Sequence, residues 1–278
     1  MPRPVVTAGF LVAGAVLLVF VLFVGLLVLR QDRLLYFPTR RLAIAPSDLG
    51  LDADELAVVT EDGARLYGWR IRGAGRRALL FFHGNAGNAS DRLERAKILN
   101  RRFGLDVFLV DYRGYGRSDG EPSEEGLYRD ARAVYRTAIE AGFRPDQIVV
   151  FGESLGAAVA IDLARVSACA GVVIETPFLS VPAVARVHYP FVPSFLVRNR
   201  FDNSSKIDRV VAPKLFVVAE NDEVAPPSHG RGLFERARGA RELFVVPGAH
   251  HNDTYVVGGE AYWKAWERFL NETGPTNR

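Results

Sequence analysis

The segment Gly152-Glu153-Ser154-Leu155-Gly156 constrains this chain more than any other stretch of its 278 residues. An apolar run at 147–151 precedes it and a helical pattern at 155–166 follows it. A serine between two glycines at a strand-to-helix junction predicts a sharp, strained turn. Side chains at positions 152 or 156 would collide there with the neighbouring strand or helix. The turn presents the Ser154 hydroxyl beside a helix N-terminus, whose dipole favours developing negative charge. Ser154 is therefore the candidate nucleophile.

The rest of the chain supplies a sheet to carry such a turn. Residues 56–60 and 66–72 read as two strands around a turn at Glu61-Asp62-Gly63. Short apolar runs at 79–83, 106–110, 147–151, 171–174, 215–219 and 243–246 have the character of buried parallel strands. Helical patterns lie between them at 91–102, 123–141, 155–166, 228–237 and 260–271. Ser123, followed by Glu124 and Glu125, is a helix start with a hydroxyl cap and acids in the first turn. The alternation predicts an α/β fold with a mostly parallel central sheet and helices on both faces, and the Gly152–Gly156 turn set on that sheet makes the α/β-hydrolase type the expectation. Residues 177–205, rich in proline and aromatics, interrupt the alternation and read as a short lid insertion.

A serine hydroxyl needs a base. In a fold of this kind the order along the chain is nucleophile, acid, histidine, with the histidine after the last strand. Of His83, His188, His229, His250 and His251, only the last two follow the run at 243–246, and spacing alone leaves the choice between them open. Asp222, after the penultimate strand, is the candidate acid; Glu175, which also ends a core strand, is its competitor. Two backbone N–H groups must face the oxyanion: that of Leu155, after the nucleophile, and that of Asn85, in the loop after 79–83. His83 reads as a support for that loop. Asp111 and Arg113 read as bracing charges, and Tyr115 as a pocket wall. The glycines at 84 and 87 lack the G-K-[ST] of a phosphate loop, and His250, His251 and Asp253 lack the H-E-x-x-H of a zinc site. No cofactor or metal is expected.

Residues 5–29 carry no charge. As a helix they would extend about 37 Å, enough to cross the hydrocarbon core of a bilayer. A cleaved signal sequence has a shorter apolar region and a small-residue cleavage site, and the chain instead continues Arg30-Gln31-Asp32-Arg33. The expectation is an uncleaved transmembrane anchor at 5–29, a linker at 30–55 and a hydrolase domain at 56–271. Arg30, Arg33, Arg40 and Arg41 after the helix outnumber Arg3 and the α-amine before it, which leans the domain toward the cytoplasm. The formal net charge of +3 is no sign of a nucleic-acid binder: Arg3 and Arg30 flank the apolar run, and the remainder is close to neutral. A single cysteine, Cys169, rules out an intrachain disulfide, and 24% charged with 11% aromatic residues rules out a disordered chain.

Taken together, FFHGNAGN (81–88), FLVDYRGYGRSDGEPSEEGL (108–127), FGESLGAAVAIDLA (151–164) and HNDTY (251–255) resemble the bud-emergence (BEM) branch of alpha/beta hydrolase domain-containing proteins. The resemblance covers about residues 30–271. It implies that the histidine of H-N-D-T-[WY], His251, is the base rather than His250, and it supports Ser154 and Asp222. Glu153 departs from the arginine or other polar residue common before the nucleophile in that branch. The expected activity is that of a membrane-anchored serine esterase or thioesterase acting on acyl substrates, with lipidic thioesters as an extension. The alternatives are a serine peptidase with the same three residues and a non-catalytic scaffold.

Overall fold

A computed structural model describes residues 3–273. Helix α1 (Arg3–Leu29) runs straight into the short α2 (Gln31–Leu35). Within α1 the 21 residues Gly9–Leu29 form an apolar helix that is not buried in the protein, about 31 Å long at 1.5 Å per residue. Phe10, Leu11, Leu17 and Leu22 on it are all exposed. An all-round apolar helix left largely uncovered does not suit contact with water.

The chain then makes the two-residue strand β1 (Phe37–Pro38), a 3-10 turn at Pro46–Leu49, and the antiparallel hairpin β2 (Ala53–Val59) and β3 (Arg65–Ile71). Next come β4 (Ala78–Phe82), the two-residue β5 (Ala86–Gly87), α3 (Leu93–Phe103), β6 (Asp106–Val110), α4 (Glu124–Glu140), β7 (Ile148–Glu153), α5 (Leu155–Val166) and β8 (Gly171–Glu175). The insertion contributes α6 (Val181–His188) and two 3-10 turns, Ser194–Leu196 and Asn203–Ser205; a third, Ile207–Arg209, follows it. The chain finishes with β9 (Lys214–Ala219), α7 (Pro227–Arg236), β10 (Arg241–Val246), α8 (Thr254–Val257) and α9 (Gly259–Glu272).

Eight strands form the main sheet in the order β10-β9-β8-β7-β4-β6-β3-β2. All pairs from β10 to β6 are parallel; β3 is antiparallel to both β6 and β2. The two-residue side-chain period sorts the core into two layers. Leu80, Phe82 and Val150 face α4, α5 and α7, whereas Leu79, Phe81 and Phe151 face α3 and α9. Ser123 caps α4 by accepting the Gly126 N–H at 3.2 Å. The positions of the eight main-sheet strands and of α3, α4, α5, α7 and α9 agree with the sequence pattern to within three residues, the largest offset being the start of β2.

Residues 30–52 are more structured than a linker. β1 pairs in parallel with β5, and Tyr36 is buried. The Phe37 N–H donates to Asn85 O at 2.9 Å and the Thr39 N–H to Gly87 O at 3.1 Å. These partners lie about fifty residues downstream, so no local periodicity announces them. The insertion is likewise fastened to the base of α1. Gln31 Oε1 accepts the Arg198 N–H at 2.6 Å, and Asn199 Nδ2 donates to Asp32 Oδ1 at 2.6 Å. Phe191 packs 6.1 Å from both Phe20 and Phe23.

Candidate active site

The parallel strands β7, β9 and β10 release the chain at the same end of the sheet, where α/β folds gather ligands. After β7, Ser154 takes φ 52° and ψ −113°, a conformation rare for any residue with a side chain. The flanking glycines make the turn possible. A Cβ at 152 would lie 2.0 Å from Gly156 O, and one at 156 would lie 2.0 Å from Phe82 O. The Ser154 N–H donates to Glu175 O at 2.9 Å, tying the turn to the neighbouring strand.

Asp222 follows β9 and His251 follows β10. His251 Nδ1 lies 2.8 Å from each carboxylate oxygen of Asp222, and its Nε2 lies 2.8 Å from Ser154 Oγ. Both side chains of the histidine–aspartate pair are almost wholly buried. An ionised carboxylate only accepts hydrogen bonds, so Nδ1 carries the proton and Nε2 presents its lone pair to the serine hydroxyl. Asp222 Oδ1 also accepts the N–H groups of Val224 (2.9 Å) and Ala225 (2.7 Å), which fix the carboxylate plane. His250 points elsewhere: its side chain is exposed and faces Glu223. Glu175 does not reach the imidazole. Its oxygens accept from Thr254 Oγ1 at 2.6 Å and Tyr262 OH at 2.7 Å.

The loop after β4 is pinned from several sides. Asn85 O accepts from Phe37 N and from Tyr115 OH, and Asn85 Nδ2 donates to Leu35 O at 2.8 Å. Asn88 Nδ2 reaches Thr39 and, at 2.8 Å, Arg41 O. Among the described residues, neither the Asn85 nor the Leu155 N–H makes a hydrogen bond. His83 is buried against Tyr112 with Nδ1 2.8 Å from Gly84 O, in keeping with loop support. Tyr115 is also fully buried; it holds Asn85 from behind rather than walling a pocket. Asp111 accepts the Ala89 N–H at 2.7 Å, and Arg113 bridges Asp62 and Asp130.

Beneath these loops lies a buried ion network absent from the sequence reading. Arg95 donates to Glu153 Oε2 at 2.9 Å and Glu175 Oε2 at 2.5 Å, and also meets Tyr262. Its guanidinium stacks 4.7 Å from the Phe151 ring and 4.8 Å from that of Tyr255. Burial opposes its charge, but Glu175 and Glu153 keep it protonated. Glu153 is paired with Arg92 as well and accepts the Gly84 N–H at 3.2 Å. Burial pushes the Glu153 carboxyl up, yet the two arginines outweigh it and bring it down to about 2. The one local hint was Arg95 itself, four residues before buried Leu99 and so on the inward face of α3.

Ser154, His251, Asn85, Ala86, Arg92 and Val224 help to line an open cleft of about 460 Å³. A hydroxyl, an imidazole and a carboxylate in series beside two free N–H groups can generate an alkoxide-like nucleophile and receive an oxyanion.

Residues 73–211 match the family model described as Hydrolase_4, serine aminopeptidase S33. The chain is 33% identical to the Arabidopsis thaliana alpha/beta hydrolase domain-containing protein WAV2, over 97% of this chain and 94% of that protein. It is 33% identical to the Saccharomyces cerevisiae uncharacterized membrane protein YNL320W, over 88% of this chain and 90% of the other. Among solved structures, the Pyrococcus furiosus esterase Pf2001 superposes with a TM-score of 0.72 at 22% identity, covering 86% of this chain and all of the esterase; that likeness bears on the fold.

Proposed function

The chain belongs to the Hydrolase_4 family of α/β hydrolases, and from that membership we propose a membrane-anchored serine hydrolase that cleaves acyl ester or thioester bonds. One observation carries the reading: the unbroken series Ser154–His251–Asp222, each link 2.8 Å. Ser154 Oγ attacks the acyl carbonyl carbon while His251 Nε2 takes its proton. Asp222 stabilises the resulting imidazolium, and the N–H groups of Asn85 and Leu155 receive the oxyanion. Collapse of the tetrahedral adduct breaks the bond to the alcohol or thiol, which leaves with the proton from His251. Water then gives a proton to the same nitrogen, attacks the acyl-enzyme and releases the acid, restoring Ser154.

An aminopeptidase would need a free carboxylate to hold the substrate amine. The buried acids lining the cleft are already engaged, Glu153 with two arginines and Glu175 with Arg95, Thr254 and Tyr262, and Asp91 at the rim accepts the Asn88 N–H. This favours esters over aminoacyl amides.

The arrangement we propose along the chain is a single transmembrane anchor at 5–29, a connecting segment at 30–55 and a hydrolase domain at 56–271. The unburied apolar surface of α1 supports the anchor, and the arginines following it support a cytoplasmic domain. The test is to expose detergent-purified protein to a fluorophosphonate probe and to assay p-nitrophenyl butyrate beside an aminoacyl p-nitroanilide. Wild type should label and cleave the ester; Ser154→Ala should do neither. Equal turnover by wild type and Ser154→Ala would sink the reading, and faster anilide cleavage would move it to a peptidase.

A further inference from the structure

The catalytic cleft is polar at its floor and does not itself explain why the domain should sit on a membrane. A second hollow does. A narrow groove of about 140 Å³ runs between the base of the anchor and the lid, walled by Leu27, Val28 and Leu34 on one side and Val184, Ala185 and Val192 on the other. Apart from Tyr189, the polar residues on its walls are occupied by protein partners. Gln31 bonds Val28 O, Leu196 O and the Arg198 N–H. Asn199 bonds Asp32 and Tyr36, and His188 Nε2 lies 2.9 Å from Val224 O. What remains facing the hollow is hydrocarbon and Tyr189.

Two hydrogen bonds join this groove to the cleft. Leu35, a groove residue, accepts from Asn85 Nδ2 in the loop beside Ser154. His188, on the opposite wall, meets Val224, which lines the cleft and bonds Asp222. The other end of the groove opens toward the bilayer. Phe191 of the lid packs on Phe20 and Phe23 of α1. Those residues lie nine and six positions before the end of the helix, roughly 14 and 9 Å along it. Phe195, Tyr189 and Val187 of the same lid are exposed, and Arg30, Arg33, Arg186 and Arg198 surround the junction, as at a membrane interface.

We propose that this groove holds the alkyl chain of the substrate, a long-chain acyl ester or thioester resident in the adjoining leaflet, with its carbonyl delivered to Ser154. The assignment rests on the serine-hydrolase reading above and names the substrate class for that site. Chain selectivity then resides in the anchor–lid seam, not in the cleft.

The experiment uses full-length protein in nanodiscs. Labelling of wild type is compared between hexadecyl and ethyl fluorophosphonate, and p-nitrophenyl palmitate is compared with p-nitrophenyl butyrate. The long probe should label about tenfold faster or more, the scale on which apolar pockets discriminate. Ala185→Trp and Val28→Trp, one from each wall, should lower the palmitate-to-butyrate ratio of kcat/KM by a similar factor. If one variant does not fold, the other and the wild-type probe ratio still decide. Equal labelling by both probes, or a ratio unmoved in a variant that labels, would overturn the groove assignment. No labelling by either probe would instead overturn the serine-hydrolase reading.

Discussion

Glu153 accepts the N–H of Gly84 at 3.2 Å, one residue before Asn85. Through Arg95 the same carboxylate is linked to Glu175, whose backbone oxygen holds the Ser154 N–H and whose side chain holds Thr254 near His251. Three separate loops are thereby referred to one buried arginine.

Replacing Glu153 by glutamine keeps the shape and removes the charge that balances Arg92 and Arg95. Breaking a largely buried pair costs about 3 kcal/mol, so urea unfolding at pH 7 should show a loss of that order. The sign with pH follows from the lowered pKa. The stabilisation is complete above the ordinary carboxyl value of 4.5 and disappears as pH falls toward about 2. The gap between wild type and Glu153→Gln should therefore close over that interval. A gap as wide at pH 2.5 as at pH 7 would mean that charge is not its source.

The hydrogen bonds at His251 separate it from its neighbour. Asp222→Asn can donate to Nδ1, leaving Nε2 protonated toward Ser154, and kcat for ester hydrolysis should fall by about 10⁴. His251→Ala should fall by a comparable factor. His250→Ala should stay within about twofold of wild type, because its side chain is exposed and bonds only Glu223. Steady-state kinetics on p-nitrophenyl butyrate reads all three.

The strain at Ser154 has a thermodynamic signature. A non-glycine residue in so sparsely populated a backbone region costs on the order of 1–3 kcal/mol, and glycine does not bear that cost. Ser154→Gly should therefore be more stable to denaturant than Ser154→Ala by about 1 kcal/mol or more, although both lack the hydroxyl. Identical midpoints would show that the turn is relaxed.

Removal of residues 1–29 leaves Gln31 and Asp32 to hold the lid, and takes no residue from either core layer. The truncated protein should unfold within a few degrees of the full chain and leave carbonate-washed membranes. Retention of the truncated form on membranes would assign the binding to the exposed lid aromatics alone.

Much of this was written in local pattern. Apolar runs located six of the eight strands of the main sheet, because parallel strands buried on both faces need continuous hydrocarbon, and the turn at Glu61-Asp62-Gly63 located the antiparallel pair β2 and β3. The glycines around Ser154 marked the turn, because only backbone fits within 2.0 Å of Gly156 O and Phe82 O. Strand order preferred Asp222 to Glu175. The choice between His250 and His251 was different in kind: adjacent residues share a loop but point in opposite directions, so spacing could not distinguish them and the H-N-D-T-[WY] resemblance was needed. The Arg95 network and the pairing of β1 with β5 depend on partners 49 to 167 residues apart, and the docking of Gln31 and Asp32 on the lid spans a similar distance. Such pairings leave no period in the sequence, and 30–55 consequently read as a linker.

The clasp between Gln31, Asp32 and the lid also decides how substrate is to be counted. In the anchored arrangement proposed above, a hydrolase held at fixed height over its own leaflet would meet molecules by lateral diffusion in two dimensions. On that proposal its rate should follow the mole fraction of acyl substrate among the lipids, not its concentration in the bulk. Diluting that substrate with inert phospholipid at constant total amount would slow turnover, whereas diluting the whole suspension with buffer would leave the rate per enzyme nearly unchanged.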